Sequence, residues 1–261
     1  MVARKGTKGP DVFAGRSASE AFDGVSHYDI VTYEASTAGV VVDRTNAKKS
    51  TGDAKGDTFK NIDAFKLTLF DDGFVGSTAK DVVNGGAGND SLSGRNGNDA
   101  LTGDAGADTL SGGNGIDSLW GGGDADLLQG GADNDKLWGD GGNDVLMGGT
   151  DRGALKVNTA NAISTFRIGD SLTGGLNIDT FVFNNGDGVD QILDFQVGTD
   201  LLDVNGLWFD GNLTNGEFAA RDYAGGTLIL FTDRSADGFV DNMAIHLSNV
   251  QASSVNVSWF I

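Results

Sequence analysis

The sequence predicts an all-β protein whose chain coils as a flattened helix with one sheet on each side. The first observation is that residues 85–147 are seven tandem copies of one nine-residue unit, with Gly at position 1, Asp at position 6 and Leu at position 8. The second is that short β-type runs separated by turns lie on both sides of the copies. The third is that no segment shows a sustained apolar period of 3.6 residues. Sheet therefore dominates throughout.

Each unit is predicted to be a six-residue loop followed by a three-residue strand. Side chains alternate between the two faces of a strand, so position 8 points one way and positions 7 and 9 point the other. Nine residues cannot complete a turn with two sheets but eighteen can, so loops on one edge lie eighteen residues apart. The inward apolar stack consists of Leu92, Leu101, Leu110, Leu119, Leu128, Leu137 and Leu146.

Residues 1–66 are predicted to be degenerate β repeats or a cap. Three units between residues 6 and 32 keep Gly at position 1 and an apolar residue at position 8, but they have lost most loop glycines. We expect their strand geometry to persist with weak or absent metal sites. Further β-type runs lie at 39–43 and 59–69, and the sequence leaves open whether this region continues the coil. The position-6 acids of the three units are Asp11, Glu20 and Asp29.

The repeat region is predicted to span residues 67–149, and a β-rich region to span residues 150–261. An insertion at 151–164 breaks the nine-residue register, which two units at 165–182 resume with Asp170 and Asp179 at position 6. Predicted strands of the last region lie at 180–183, 191–195, 201–204, 227–231, 243–247 and 255–261.

Charge and composition restrict the possible partners. Thirty-seven acids against 18 bases give a net charge of −19, which disfavours nucleic acid and anionic membranes and favours cations. The chain has no Cys, and hence neither a disulfide framework nor a thiolate metal site. No apolar run is long enough to span a bilayer as a helix, and no apolar segment follows the basic start as a signal peptide requires.

The regular recurrence of Asp and Gly in a β-structure requires an explanation, since Asp is a poor β-former and Gly weakens strands. Loop glycines allow positive φ and turn carbonyls inward, and Asp adds a hard carboxylate. Calcium takes six to eight such oxygens, so two loops must sandwich each ion. Without metal, carboxylates ~4.8 Å apart repel by roughly 3 kcal/mol at an effective dielectric of 20. Calcium binding is then folding, and about seven ions would offset most of the net charge.

The predicted calcium ligands are the position-6 carboxylates and backbone oxygens of the loops. The carboxylates are Asp72, Asp81, Asp90, Asp99, Asp108, Asp117, Asp126, Asp135, Asp144 and Asp179. The loop residues are Gly85, Gly86, Ala87, Gly88, Gly94, Asn96, Gly103, Ala105, Gly112, Asn114, Gly121, Gly123, Gly130, Ala132, Gly139 and Gly141.

Seven in-phase copies resemble the GGxGxDxUx unit of RTX (repeats-in-toxin) proteins. The resemblance implies a right-handed parallel β-roll, calcium held by the position-6 Asp and loop carbonyls, and secretion from a Gram-negative cell by a type I apparatus that reads an uncleaved C-terminal signal. Arg95, Asp104 and Asp140 depart from the pattern at position 2, and Asp124 and Asp133 at position 4. Asp tolerates left-handed backbone better than most residues, so the site around Arg95 is the weakest expected.

The C-terminal region also resembles that of serralysin-type secreted proteases, in the stretches GDSLTGGLNIDTFVF, GDGVDQILDF, VGTDLLDVNGL and TDRSADGFVDNMAIHLSNV. Within the last stretch, residues 233–238 match the first half of an EF-hand loop. Ala244 stands where that loop needs Glu, which favours a hairpin turn. The final VNVSWFI is interpreted as the export signal, with a last strand as the alternative.

The sequence contains no catalytic motif that we recognise: HExxH, G-x-S-x-G, a P-loop and Cys are all absent. The first hypothesis is therefore a secreted, non-enzymatic calcium-binding protein. One alternative is the calcium-binding and secretion module of a larger enzyme (protease, lipase or alginate epimerase type), which Met1 and the N-terminal repeats disfavour. The others are an adhesin or polysaccharide-binding surface protein, and a small hydrolase.

Trp120 and Trp138, eighteen residues apart at position 9, would form the aromatic surface of the adhesin unless other segments cover them. His27 and His246 are expected in a loop and a strand.

Overall fold

The computed structural model describes residues 1–150, 154–157, 163–167, 169–184, 187, 189–206, 218–223, 226–231 and 244–251. The described residues form 25 strands and one short 3₁₀ helix, Gly52–Ala54. The prediction of an all-β parallel β-roll is confirmed. No helix in the described part of the chain is long and apolar enough to cross a membrane.

The chain divides into two units, Met1–Leu127 and Leu128–Ile261. The strands of the first unit are β1 (Val2–Lys5), β2 (Val12–Ala14), β3 (Glu20–Asp23), β4 (Ile30–Thr32), β5 (Val41–Asp43), β6 (Thr58–Lys60), β7 (Ala64–Lys66), β8 (Gly73–Val75), β9 (Val82–Ala87), β10 (Ser91–Asn96), β11 (Ala100–Ala105), β12 (Thr109–Asn114) and β13 (Ser118–Gly123). Those of the second are β14 (Leu127–Ala132), β15 (Lys136–Gly141), β16 (Val145–Thr150), β17 (Ala154–Val157), β18 (Ile163–Arg167), β19 (Ser171–Leu176), β20 (Thr180–Asn184), β21 (Val189–Ile192), β22 (Leu201–Gly206), β23 (Phe218–Tyr223), β24 (Gly226–Phe231) and β25 (Ala244–Ser248).

Alternate strands of the first unit enter different sheets, as a flattened helix requires. One sheet has the order β12-β10-β8-β5 and the other β2-β4-β7-β9-β11-β13, while β1-β3-β6 form a third. The pairs are parallel, and β10 lies in register with β12 so that Leu92 faces Leu110. The predicted coil of eighteen residues is thus confirmed.

The core of the first unit lies between the sheets and is built from position 8. In one sheet Leu92 is flanked by Phe74 and Leu110, and in the other Leu101 is flanked by Val83 and Leu119. These side chains are 0–1% exposed. Burying an aliphatic or aromatic side chain of this size contributes about 1.5–3 kcal/mol, so the repeated Leu supplies an apolar core.

Residues 1–66 continue the parallel sheets. Phe13 faces Val31, Val31 faces Phe65, and Phe65 faces Val83 at the start of the repeats. The expectation that strand geometry persists in the degenerate units is therefore correct. The boundary placed at residue 66 stays a prediction.

The repeat strands are six residues long, where three were predicted. They run from position 7 through position 3 of the next unit, as Ser91–Asn96 does. Pairing of β10 with β12 passes from Ser93 to Arg95 and omits Gly94, the position-1 residue. Residues at positions 2 and 3 that were predicted to belong to loops therefore extend the strand ladder, although position 2 has a positive φ.

In the second unit the repeats resume after the insertion. Leu137 faces Leu172 and Leu146 faces Phe181, as the recovered register predicts. β17 and β18 pair antiparallel within and just after the predicted insertion. The parallel order β15-β19-β21-β25 is followed by antiparallel β24 and β23.

The predicted C-terminal strands at 180–183, 191–195, 201–204, 227–231 and 243–247 correspond to β20, β21, β22, β24 and β25 with shifted ends. β23 was not predicted, because its sequence FAARDY lacks the β-branched alternation of a typical strand. The EF-hand-like stretch 233–238 and the proposed signal 255–261 lie outside the described residues.

Candidate metal centre

The repeat loops hold left-handed backbone at positions 2 and 4. At position 2, φ is +113° at Gly113 and +120° at Gly122, and at position 4 it is +122° at Gly106. The five substituted positions keep a positive φ too, between 71° and 78°, at Arg95, Asp104, Asp124, Asp133 and Asp140. The loops therefore share one conformation, including the one at Arg95.

The position-6 carboxylates form a ladder along the edge of the coil. Oδ1 of Asp90 accepts a hydrogen bond from the backbone N–H of Asp72 at 2.8 Å, and Asp90 donates in the same way to Asp108 at 2.7 Å. On the opposite edge Asp81, Asp99 and Asp117 repeat the arrangement at 2.7 Å. This ladder stacks one acidic loop on the next and fixes one oxygen of each carboxylate.

The second carboxylate oxygen of several ladder residues is buried. Asp90, Asp99 and Asp108 are each 2% exposed, and Asp179 is 0% exposed. Within the described part of the chain, Oδ2 of each of these four has no hydrogen-bond partner. An unpartnered buried carboxylate oxygen costs several kcal/mol unless a cation or donor meets it. The remaining predicted carboxylates, Asp117, Asp126, Asp135 and Asp144, are buried as well.

Gly at position 1 leaves the space that these oxygens face. A Cβ on Gly103 would lie 2.0 Å from Oδ2 of Asp108 and 2.7 Å from the carbonyl oxygen of Gly121, in the next coil. Gly94 and Gly139 have the same relation to Asp99 and Asp144, at 2.2 Å and 2.4 Å. At Gly103 and Gly139 the cradle thus holds oxygens of two successive loops, and any side chain there would fill it.

These oxygens fit calcium. The donors are a hard carboxylate and backbone carbonyls, the set that calcium prefers. Among the described residues, no group of three or more Asp, Glu or His side chains is placed to hold a metal. That is expected where each loop contributes one carboxylate and the backbone contributes the rest. A bound calcium ion would give Oδ2 a positively charged partner and would link adjacent coils.

Burial makes the carboxylates hard to ionise without an ion. Desolvation by burial, together with the neighbouring charges of Asp108 and Asp72, raises the pKa of Asp90 to about 7, although the hydrogen bond from the Asp72 N–H lowers it. Desolvation likewise raises the pKa of Asp99 and of Asp108 to about 6, and that of Asp179 to about 7. In the metal-free fold these carboxyls therefore take up protons at a higher pH than an ordinary aspartate.

Asp72 and Asp81, both predicted ligands, differ from the others. The two oxygens of Asp72 accept from the backbone N–H groups of Val40 and Thr68, each at 2.6 Å. Oδ2 of Asp81 accepts from the Ser77 N–H at 2.9 Å, and Oδ1 pairs with the guanidinium of Arg44. At the first coils of the repeat region, protein donors therefore already contact the carboxylate oxygens of Asp72 and Asp81. Their role as calcium ligands stays a prediction.

The other predicted loop residues lie where the strands end. Positions 2 and 4, represented by Gly86 and Gly88, have the left-handed backbone described above. Position 3 is the last residue of each repeat strand, and Asn114 there donates through Nδ2 to Oδ1 of Asn96 at 2.6 Å. The other position-3 residues predicted as ligands are Ala87, Ala105, Gly123, Ala132 and Gly141. Their role as carbonyl donors stays a prediction.

The buried ladder is longer than the list of predicted ligands. Oδ1 of Asp170 accepts from the Asp135 N–H at 2.6 Å, and Oδ1 of Asp190 accepts from the Asp170 N–H at 3.1 Å. Asp170 follows the nine-residue register and could have been included from it. Asp190 lies twenty residues beyond Asp170, so no repeat spacing points to it.

The histidines lie as expected, His27 exposed in a loop and His246 buried in β25. Trp120 and Trp138 are both partly buried in repeat strands. The predicted aromatic surface stays a prediction.

Comparison with known families decides the nature of these loops. A family model described as the RTX calcium-binding nonapeptide repeat (four copies) matches residues 75–110, 102–137, 111–146 and 120–153. Residues 75–153 are RTX calcium-binding repeats. This RTX segment contains the position-6 carboxylates from Asp81 to Asp144, and the chain therefore carries a calcium-binding RTX module.

Several solved structures are similar to the chain, and two of them are an extracellular lipase and a mannuronan C5-epimerase subunit by their names. One is the extracellular lipase LipA from Serratia marcescens, with 17% identity, a TM-score of 0.30 and coverage of 78% of this chain and 40% of the lipase. The other is the AlgE6R3 subunit of the Azotobacter vinelandii mannuronan C5-epimerase, with 24% identity, a TM-score of 0.23 and coverage of 74% of this chain and 78% of the subunit. The chain thus spans less than half of the lipase. No curated protein sequence matches it.

Proposed function

We propose that this chain is a secreted, non-enzymatic RTX protein that folds when it binds extracellular calcium, after a type I apparatus has exported it unfolded. The RTX segment supplies the calcium-binding capacity. The proposal adds that calcium binding controls folding, so that the chain folds only after it has left the cell.

One observation carries this proposal: buried carboxylates whose second oxygen has no protein partner. In the described residues, Oδ2 of Asp90, Asp99 and Asp108 meets no donor. In an unfolded chain water solvates these groups, whereas in the fold they lie near one another and near carbonyl oxygens. Several repulsions of roughly 3 kcal/mol each rival the 5–15 kcal/mol that stabilises a typical domain. Bound calcium turns this repulsion into attraction, so that the folded state becomes the more stable one.

The level of calcium then selects the state of the chain. Low intracellular calcium favours the unfolded form that an export channel can carry, and the millimolar level outside favours the roll. The net charge of −19 keeps the unfolded chain extended and soluble until ions neutralise it.

The non-enzymatic part of the proposal is supported by the residues available for chemistry. The sequence has no Cys and two histidines, far apart in sequence, and neither lies in a catalytic motif. The abundant carboxylates are poor general acids when committed to calcium.

Circular dichroism in chelator and in calcium tests the coupling of binding to folding. We expect chelator to remove most of the β-sheet signal, calcium to restore it, and magnesium at equal concentration not to, because magnesium dehydrates reluctantly and demands octahedral geometry. Unchanged spectra in chelator would refute the proposal. Asp117→Ala should lower the number of bound ions and the cooperativity without abolishing folding.

A secretion assay tests the export step. A cell carrying a type I apparatus should export the full chain, and removal of residues 255–261 should abolish export while the purified protein still folds with calcium. Equal export of the full and shortened chains would contradict the role given to VNVSWFI.

A further inference from the structure

The position-6 carboxylates before the RTX segment differ in whether protein donors meet their oxygens. Oδ2 of Asp11 accepts from the Thr7 N–H at 2.7 Å, and Oδ1 lies 3.3 Å from the Thr7 hydroxyl. Glu20 pairs with Arg4 through one oxygen and accepts from the Arg16 N–H at 3.2 Å through the other. These groups, like Asp72, are met within the protein.

Asp29 is the exception. It is 0% exposed, and its Oδ1 accepts from the Asp11 N–H at 2.8 Å as in the repeat ladder. Its Oδ2 is buried and has no hydrogen-bond partner in the part of the chain that the structure describes. Asp29 therefore has the same unsatisfied oxygen as Asp108 in the RTX segment.

The space in front of this oxygen also matches. A Cβ on Gly24, at position 1 of the same unit, would lie 2.3 Å from Oδ2 of Asp29 and 2.3 Å from the carbonyl oxygen of Asn61. At Gly103 the corresponding distances are 2.0 Å and 2.7 Å. Each cradle thus combines one unpartnered carboxylate oxygen with a carbonyl from the next coil.

The carbonyl of Asn61 is held in place. Nδ2 of Asn61 donates to Oδ1 of Asp23 at 2.9 Å, and the Gly24 N–H donates to the neighbouring carbonyl of Lys60 at 3.1 Å. These two bonds fix the segment that carries the second oxygen against the loop of Asp29. The cradle is therefore pre-formed rather than dependent on a mobile side chain.

The loop around Asp29 keeps the RTX backbone without the RTX sequence. Val25 at position 2 has φ +73°, and His27 at position 4 has φ +77°. A β-branched residue in this region is a genuine outlier, and such strain persists where the surroundings impose it. Val and His in place of Gly hide the unit from a sequence pattern, and the match to the family begins only at residue 75.

We propose that Asp29 and Asn61 bind one calcium ion beside Gly24, in a site outside the RTX segment. Oδ2 of Asp29 and the Asn61 carbonyl are the oxygens that face the ion. The site rests on the proposed function, since it takes the same ion, and it extends calcium control to a coil in which the sequence led us to expect a weak or absent site.

Counting bound calcium by elemental analysis after desalting tests the proposal. Asp29→Asn should bind one ion fewer than the parent chain. Asp11→Asn, at the same ladder position but met by Thr7, should bind the parent number. An equal count in Asp29→Asn and the parent would overturn this inference and leave the proposed function standing. No calcium in the parent would overturn both.

Terbium provides a second test that needs no change at Asp29. Tyr28 directly precedes Asp29 and is 52% exposed, so it can sensitise a terbium ion in this site. Tyr28→Phe should reduce terbium emission excited through tyrosine, and Tyr33→Phe, where the hydroxyl donates to Oδ2 of Asp57 at 2.7 Å, should not. Equal emission from Tyr28→Phe and the parent would overturn the proposal even if Asp29→Asn fails to fold.

Discussion

Gly103→Ala should destabilise the calcium-loaded fold by about 1–3 kcal/mol, the usual cost of forcing a methyl group into a packed site. The added Cβ would lie 2.0 Å from Oδ2 of Asp108 and 2.7 Å from the carbonyl oxygen of Gly121. Cβ atoms essentially never approach other atoms so closely, so both calcium-facing oxygens must move. The cost corresponds to a fall of about 5- to 140-fold in the folding equilibrium constant.

Urea denaturation at saturating calcium measures this cost. Gly123→Ala is the matched control, because its Cβ would lie 3.8 Å from the nearest described atom, the Asp104 carbonyl oxygen, and Ala already stands at position 3 in other units. The control should change the free energy of unfolding by less than about 0.5 kcal/mol. Equal values for the two variants would refute the reasoning that position 1 is Gly because the cradle must stay open.

Three further predictions concern the core, the first coils and pH. Leu110→Ala should cost about 2–5 kcal/mol in urea denaturation, since Leu110 is 0% exposed, whereas Leu69→Ala, 68% exposed, should cost far less. Arg44→Gln should cost about 3–5 kcal/mol by leaving the buried charge of Asp81 unpaired, and adding Asp81→Asn should recover part of it; a double variant no better than the single one would contradict the pairing. Because burial raises the pKa of Asp90 to about 7 in the metal-free fold, protonation stabilises that fold below about pH 4, and the gain is lost as pH rises through about 7. In chelator, circular dichroism should therefore show more sheet at about pH 5 than at about pH 8, and the reverse order would contradict it.

The fold could be predicted because each unit repeats a local rule. Leu at position 8 in successive units fixes which strand face is buried, and the coil of eighteen residues follows from the need for two sheets. Strand length was underestimated, since nothing in the spacing shows that the ladder continues through position 3. β23 was missed because antiparallel neighbours, and not its own composition, hold it in the sheet.

The sequence predicted which residue types form the candidate site, but it did not predict which protein donors contact each carboxylate oxygen. In the nine-residue register, the position-6 acids from Asp11 to Asp179 all occupy equivalent positions. Their partners differ: Arg44 reaches Asp81, Val40 reaches Asp72, and Thr7 reaches Asp11. The sequence favoured sites with intact loop glycines, whereas the backbone of Val25 and His27 shows that the conformation survives their loss.

By itself the sequence determined the all-β class, the period of the coil, the inward Leu stack and the acidic edges, because each depends on spacing along the chain. Only the tertiary structure decided which carboxylate oxygens are met by protein donors and which face an open cradle. The reason is that every such partner lies in a neighbouring coil or an inserted loop, and packing between coils sets those distances.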